Sequence, residues 1–521
     1  MWLYIVWGLV FTAATLIFYR QKYSFFKKHG INYQTPLPIF GNMSSTVFTL
    51  EHLSAHLKRI YDAFPNDRFV GHFEFTSPMI FVRDLELVKK ITIKDFEHFL
   101  DHRTVVDDKV DPFWGRSLFS LKGQEWKDMR STLSPAFTSS KIKHMVPFMT
   151  EVGEYLIESI KKRLHAAKSD SIELDTKDIT SRFSNDVIAS CAFGLKVNSI
   201  TDPNNSFFTM GLEASAFKFK QLLIFFAYNS FPKLMSFFKI SVFSKNSMRF
   251  YKKLVTDTMI ERDEMNIIRP DMIYLLMEAK KGQLSYDDEA NDSAVGFATV
   301  EESNVGKRKT TTEWSNNDLT AQALIFLLGG LETISSVMTF ALHELALNPE
   351  VQDKLVKEIK EFEMEKKGRL DFDTLQKMEY MDMVVSEVLR LWTPGFMLDR
   401  RCIKDYNLGK PHKDAKEDYI IRKGQGLVIP VWAFHRNPEF YPNPDKFDPE
   451  RFSEENKGNI KPFSYMPFGV GPRNCIGSRF ALCELKAVLY QVLLRIEVSP
   501  SSRTTIPLQI ATTSFTPRVK G

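Results

Sequence analysis

Residues Pro467–Gly477 read PFGVGPRNCIG, and SRFALCELKAVL follows directly. Gly469, Gly471 and Gly477 are too many glycines in eleven residues for a core helix. They suit a tight coil whose backbone comes close to a flat group or takes left-handed turns. The run after it has helical spacing, so Cys475 lies just ahead of a helix start. Helix-terminal N–H groups can hold a thiolate there. A lone cysteine is ordinarily a small buried hydrophobe. That reading is kept for Cys191, Cys402 and Cys483, and the glycine-rich setting argues against it for Cys475.

The four cysteines form no CxxC pair and no zinc spacing, and so few could not staple 521 residues. A reduced interior follows. A formal charge of +5 over this length is too weak a bias to select a partner, and no nucleic-acid-binding function is expected. Met1–Tyr19 carries no charge, and Arg20, Lys22, Lys27 and Lys28 come after it. Positive charge behind an apolar run favours an N-terminal membrane anchor with a cytosolic body. A cleaved peptide or a buried helix are the alternatives. The expected division is an anchor over 1–19, a basic and proline-rich linker over 20–45, and one catalytic body over 46–521.

Within that body, 69–82 reads as strands and most of 121–280 as helices. Leu222–Ile240, crowded with Phe and broken at Pro232, is expected to dip partly into lipid. The polar stretch 281–316 has no apolar periodicity and is expected to be a loop or disordered connector. Helices are expected over Asn317–Ala346, 350–366, 374–392 and 478–494. Short strands are expected near 427–430 and in the C-terminal tail.

Three further patterns carry chemistry. Glu387 and Arg390 are spaced i, i+3 on one helix face; alone, such a pair is usually a solvated ion pair. Gly329 and Gly330 in FLLGGLETIS (326–335) sit mid-helix at a cost of about 1 kcal/mol each. They leave room for a ligand or for close helix packing, and Glu332 beside Thr333 could relay protons. Trp126 and Arg130 share a helix face at i, i+4.

Together these stretches resemble the cytochrome P450 family. PFGVGPRNCIG matches its haem-binding signature, Glu387-Val-Leu-Arg390 its ExxR motif with Arg451 of PERF as third partner, and Trp126–Arg130 its WxxxR motif. The resemblance implies a mainly α fold with small β-sheets, as a single body behind the N-terminal membrane helix. It implies haem b with Cys475 as axial ligand of the iron. Phe468 would pack over the thiolate, and Trp126, Arg130, Arg400 and Arg473 would hold propionates, with Arg401 a weaker alternative to Arg400. Glu332 and Thr333 would be the catalytic acid–alcohol pair, although Ile334 follows where many members have Thr or Ser. Glu387, Arg390 and Arg451 would be structural. Pocket walls would come from Val110–Phe119, Phe207–Phe219, Leu324–Thr333, Pro394–Leu398 and Thr512–Phe515.

The implied activity is a monooxygenase that puts one atom of dioxygen into a hydrophobic substrate and releases the other as water. No GxGxxG fingerprint or flavin module is present, so electrons must come from another protein. The resemblance implies NADPH–cytochrome P450 reductase, with cytochrome b5 as a second candidate partner. It also implies the endoplasmic reticulum membrane, with the catalytic body in the cytosol. The wording of DPFWGRSLFSLKGQEWKDMR and YMPFGVGPRNCIGSRFAL is similar to insect microsomal members that metabolise xenobiotics. A narrow steroid or fatty-acid hydroxylase is the main alternative. An oxygen-independent isomerase and a non-enzymatic haem or lipid binder are disfavoured by the intact Glu332–Thr333 pair.

Overall fold

The computed structural model describes residues 2–103, 106, 108–215, 219–284, 296–308, 312–366 and 368–520. The chain begins with α1 (Trp2–Tyr23), whose apolar side chains are almost all exposed. Its mean hydropathy of 1.8 and 22-residue length suffice to cross a bilayer core of about 30 Å. A second helix, Asn316–Leu347, passes the same test, but two-thirds of its apolar window is buried, so it is a core helix. After α1 the chain is tied to the body: Phe26 and Ile31 are buried, and Tyr33 bridges to Gly71.

The core is helical. We label α2 (Gly123–Leu133), α3 (Val146–Ala167), α4 (Thr176–Phe193), α5 (Asn316–Leu347), α6 (Glu379–Leu391) and α7 (Ser478–Leu493). Leu324, Leu327, Leu331, Ile334, Met338, Ala341 and Leu345 recur at three- and four-residue spacing and are all buried. This stripe makes α5 the central rod, and α4 packs along it. Ser315 and Asp318 close its start as a reciprocal capping box. Asp175 caps α4, and Gly194 ends it at φ 71°. α7, which follows the Cys475 coil, packs against α3, α5 and α6.

One four-stranded sheet joins the two ends of the chain. Its strands are β1 (Phe69–Glu74), β2 (Ser77–Val82), β3 (Leu398–Arg401) and, after the separate hairpin β4 (Tyr406–Gly409) and β5 (Tyr419–Ile421), β6 (Gly426–Ile429). The order is β1-β2-β6-β3, with only the β2–β6 pairing parallel. The sheet therefore carries Arg400, from far along the chain, into the body's interior. The tail forms a single bridge, Ile510 with Val519.

The described part of the connector is a loop, without helix or strand over 296–308. Residues 285–295 and 309–311 lie outside those described, but 296–308 is packed: Ala298 and Val305 are buried, as is Trp314 beyond. Leu222–Ile240 falls into two helices, Phe219–Ser230 and Pro232–Phe237, broken at Pro232. In the second, Leu234 and Phe237 are exposed, as is Phe238 just after it.

Candidate active site

Gly469 and Gly471 take φ of 73° and 74°, a region costly for any side chain. A Cβ on Gly471 would also lie 1.9 Å from the Thr92 carbonyl oxygen. The coil they shape closes on itself where the Cys475 N–H donates to the Phe468 carbonyl at 2.8 Å. The Cys475 side chain is left exposed, unlike the other three cysteines, which are buried. Its surroundings still desolvate it and push the thiol up, while the Gly477 N–H and the Arg130 charge favour the thiolate.

α2 lies against this coil. Trp126 is buried, and the Arg473 guanidinium stacks 4.0 Å from its ring. Arg473 donates to the carbonyls of Leu100 and Leu121 at 2.9 and 2.8 Å, with Asp101 at 3.9 Å. Arg130 donates to Asn474, beside Cys475, through Nη1 to the carbonyl at 2.8 Å and Nη2 to Oδ1 at 2.6 Å. Its remaining contacts go to Glu302, 2.6 Å away. Arg400 is buried and Arg401 half-buried, so the sheet turns Arg400 inward. Nη1 of Arg400 donates to its neighbour's carbonyl, and its buried Nε has no partner. Burial pushes the Arg400 guanidinium down to about 10, and burial with Arg400 nearby pushes Arg473 down as well. Asp399 is already engaged by His102 at 2.8 Å and the Arg103 N–H at 2.7 Å.

The second assembly supports the coil. Glu387 and Arg390 are fully buried and joined by a two-pronged pair at 2.6 and 2.8 Å. The Asp448 N–H and Arg451 also reach Glu387, at 2.9 and 3.4 Å. A residue not singled out in the sequence, His435, connects this cluster to the coil. Its Nε2 accepts the Met466 N–H at 2.9 Å, and Arg390 donates to its carbonyl at 2.7 Å. That acceptor role leaves the proton on Nδ1, which lies 3.1 Å from the Arg390 carbonyl. Burial pushes His435 down to about 3, so it is neutral.

Mid-way along α5, Gly329 is exposed although most of the helix is buried, and a Cβ there would meet nothing within 4 Å. Gly330 is different: its Cβ would lie 2.7 Å from Ile188. Thr333 turns its hydroxyl back to the Gly329 carbonyl. Glu332 is buried and held by Arg518 at 2.5 and 2.6 Å and by Lys177 at 3.2 Å. Burial works against its ionisation, but the two cations hold its carboxyl below the usual range. The pair is thus split, with the alcohol bonded within its helix and the acid tied to the C-terminal segment. Of the wall segments, Phe396 and Phe515 meet at 5.4 Å, and Phe225 joins them at 5.8 Å. Residues 216–218 of the Phe207–Phe219 wall lie outside those described.

The cytochrome P450 family profile matches residues 32–520. The chain belongs to the cytochrome P450 family. Among curated relatives it is 41% identical to "Cytochrome P450 9e2" of Blattella germanica, over 99% of this chain and 96% of that one. It is 40% identical to "Probable cytochrome P450 9f2" of Drosophila melanogaster, over 98% and 97%. It is 35% identical to "Cytochrome P450 6j1" of Blattella germanica, over 95% and 91%. This P450 is accordingly a monooxygenase, and its family implies a haem-iron cofactor. The residues fit that group. An exposed cysteine in a glycine coil, an open glycine on α5 and a buried Arg400 whose Nε has no protein partner suit a flat, doubly anionic ligand.

Proposed function

We propose that this P450 is a microsomal enzyme that oxygenates hydrophobic xenobiotics, with haem b held by Cys475 and electrons supplied from NADPH through a reductase. The exposed Cys475 within the Phe468–Gly477 coil carries this reading. When bound, thiolate-ligated haem supplies reductive dioxygen activation, because the thiolate pushes electron density that favours O–O cleavage. The chain's own residues do the rest. The Gly477 N–H steadies the sulfur, and Phe468 covers the coil. Arg400, with Arg473 and Trp126 behind it, receives the propionates, since among its described contacts it commits only Nη1 to protein. Arg130 and Arg473 each make four hydrogen bonds to protein, and those of Arg130 go to Asn474 of the coil and to Glu302. Thr333 presents a hydroxyl beside Gly329 and with Glu332 forms the acid–alcohol pair for proton delivery, the Glu332 carboxylate being held by Arg518 and Lys177. Arg518 also lines a groove of about 540 Å³ with Leu212, Ile224 and Phe243, a route inward for water or substrate.

Residues 1–19 act as the anchor, 20–45 as the link and 46–521 as the catalytic body. The basic residues after the apolar run favour a cytosolic body at the endoplasmic reticulum. The exposed Leu234, Phe237 and Phe238, and separately Leu37, Ile39, Phe48 and Leu50, support partial seating of the body in lipid. Cytochrome b5 is a second electron-transfer partner to be tested beside the reductase.

The test is the carbon monoxide difference spectrum of the reduced, detergent-solubilised protein beside Cys475→Ala. A strongly red-shifted band in the wild type that the variant lacks is expected. A folded wild type without that band would overturn thiolate ligation. Turnover of a diverse apolar panel with reductase and NADPH then separates broad xenobiotic oxidation from a narrow hydroxylase, which would favour one steroid or fatty acid strongly.

A further inference from the structure

The segment 296–308 is bound to both sides of the Cys475 coil. At one end the Phe297 N–H donates to Asp382 on α6 at 2.8 Å, and its ring packs on Phe452 and Tyr465 at 4.9 and 5.3 Å. At the other end Ser131 on α2 donates to the Arg308 carbonyl. In between, Asn474 donates to the Glu301 carbonyl at 3.1 Å, and Glu302 grips Arg130. The side chains of Arg130 and Glu302 are 3% and 9% exposed, so this pair is removed from solvent screening. Arg130 in turn holds both carbonyl oxygens of Asn474, the residue next to Cys475. A buried cation so placed favours an added electron nearby, and a buried anion paired with it cancels that effect.

We propose that Glu302 is a positioning residue of the redox centre: it neutralises Arg130, fixes it on the Cys475 coil, and thereby lowers the electron affinity of the group that Cys475 ligates. This rests on the reading that Cys475 holds the haem iron. Glu302 acts through Arg130 and touches neither substrate nor cofactor. Replacing it by an uncharged residue leaves the Arg130 cation uncompensated and makes reduction easier. Replacing Arg130 alone leaves the anion and makes reduction harder. Removing both charges restores the balance.

The experiment is an anaerobic spectroelectrochemical titration of the full-length holoenzyme and its Glu302→Gln, Arg130→Gln and double variants. A red-shifted reduced-carbon monoxide band in the wild type comes first; its absence would sink the Cys475 reading itself and not the role of Glu302. At fixed potential, Glu302→Gln should raise the ferrous-to-ferric ratio about tenfold, which is 59 mV for a one-electron couple. Arg130→Gln should lower the ratio, the double variant should return to within about twofold of wild type, and Glu302→Asp should match wild type. A wild-type ratio in Glu302→Gln, or a double variant shifted as far as Glu302→Gln, would overturn the proposal. If Glu302→Gln loads no haem but the double variant does, charge compensation is supported. If neither loads haem, the pair is needed for folding and the proposal fails.

Discussion

Replacing Arg390 by Ala should cost this P450 its haem without touching the substrate pocket. Arg390 and Glu387 have no exposed side-chain surface, so the variant leaves a carboxylate in the interior. Breaking a buried pair from one side costs about 3–5 kcal/mol. Glu387 would keep the Asp448 N–H and Arg451, which places the charge cost near the lower end, about 3 kcal/mol. The His435 carbonyl also loses its donor, adding roughly 1–3 kcal/mol. A total of at least about 4 kcal/mol is a large share of the ~5–15 kcal/mol that holds a typical domain folded. The loss is directed at the coil, because His435 accepts the Met466 N–H and Met466 accepts the Gly469 N–H at 3.0 Å. Arg390→Lys keeps the charge but not the fork, and should fall between. The assay is denaturant titration of the solubilised full-length protein, following the haem absorption band and tryptophan fluorescence together. An Arg390→Ala variant that loads haem fully and loses less than about 1 kcal/mol would refute the reasoning.

Two contrasts test α5 and the core. Gly329→Ala should be tolerated or stabilising by up to about 1 kcal/mol in thermal unfolding, because its Cβ enters open space, and should weaken the spectral shift produced by bulky ligands. Gly330→Ala should not stabilise, since Ile188 on α4 must move; equal melting shifts for the two variants would show that the helix contact is not tight. Burial pushes Glu484 up to about 8, against an ordinary value near 4.3. Between those values the unfolded chain releases a proton that the folded chain keeps, so stability falls as pH rises. Glu484→Gln should therefore match wild type near the lower value and exceed it on the order of 3 kcal/mol at neutral pH. A stability difference independent of pH would contradict this.

The features legible in the sequence are those written within a few residues of one another. The Cys475 coil is set by glycines inside eleven residues, and φ above 70° at Gly469 and Gly471 is the conformation that composition implies. The central rod follows from the three- and four-residue recurrence from Leu324 to Leu345, and Glu387 meets Arg390 because i, i+3 spacing fixes one face. The ends of the helices expected over 317–346, 350–366 and 478–494 fall within a residue for the same reason, whereas the one expected over 374–392 is two, Phe372–Lys377 and Glu379–Leu391, parted at Met378. In the connector, the sequence leaves a packed loop and a disordered one undistinguished, because the apolar anchors Phe297, Ala298, Val305 and Trp314 are too sparse and irregular to form a period. Their burial depends on what topology brings beneath them.

The same limit governs the charged residues, and it changes what a motif says. Spacing puts Arg130 on the face of Trp126, but its counter-ion lies 172 positions away, and the partner of Glu332 lies 186 away. No local pattern encodes either pairing. A guanidinium has five N–H donors in a fixed fork. Arg130 spends one on Nε, both on Nη2 and one on Nη1, on Glu302 and Asn474. One N–H is left over, while Arg400 still has a buried Nε without a partner. The motif thus fixes which face an arginine shares, and the distant pairing decides which groups of the protein it touches. In this chain Arg130 on α2 is tied to the Cys475 coil through Asn474, and Arg400 on the sheet keeps a buried Nε without a protein partner.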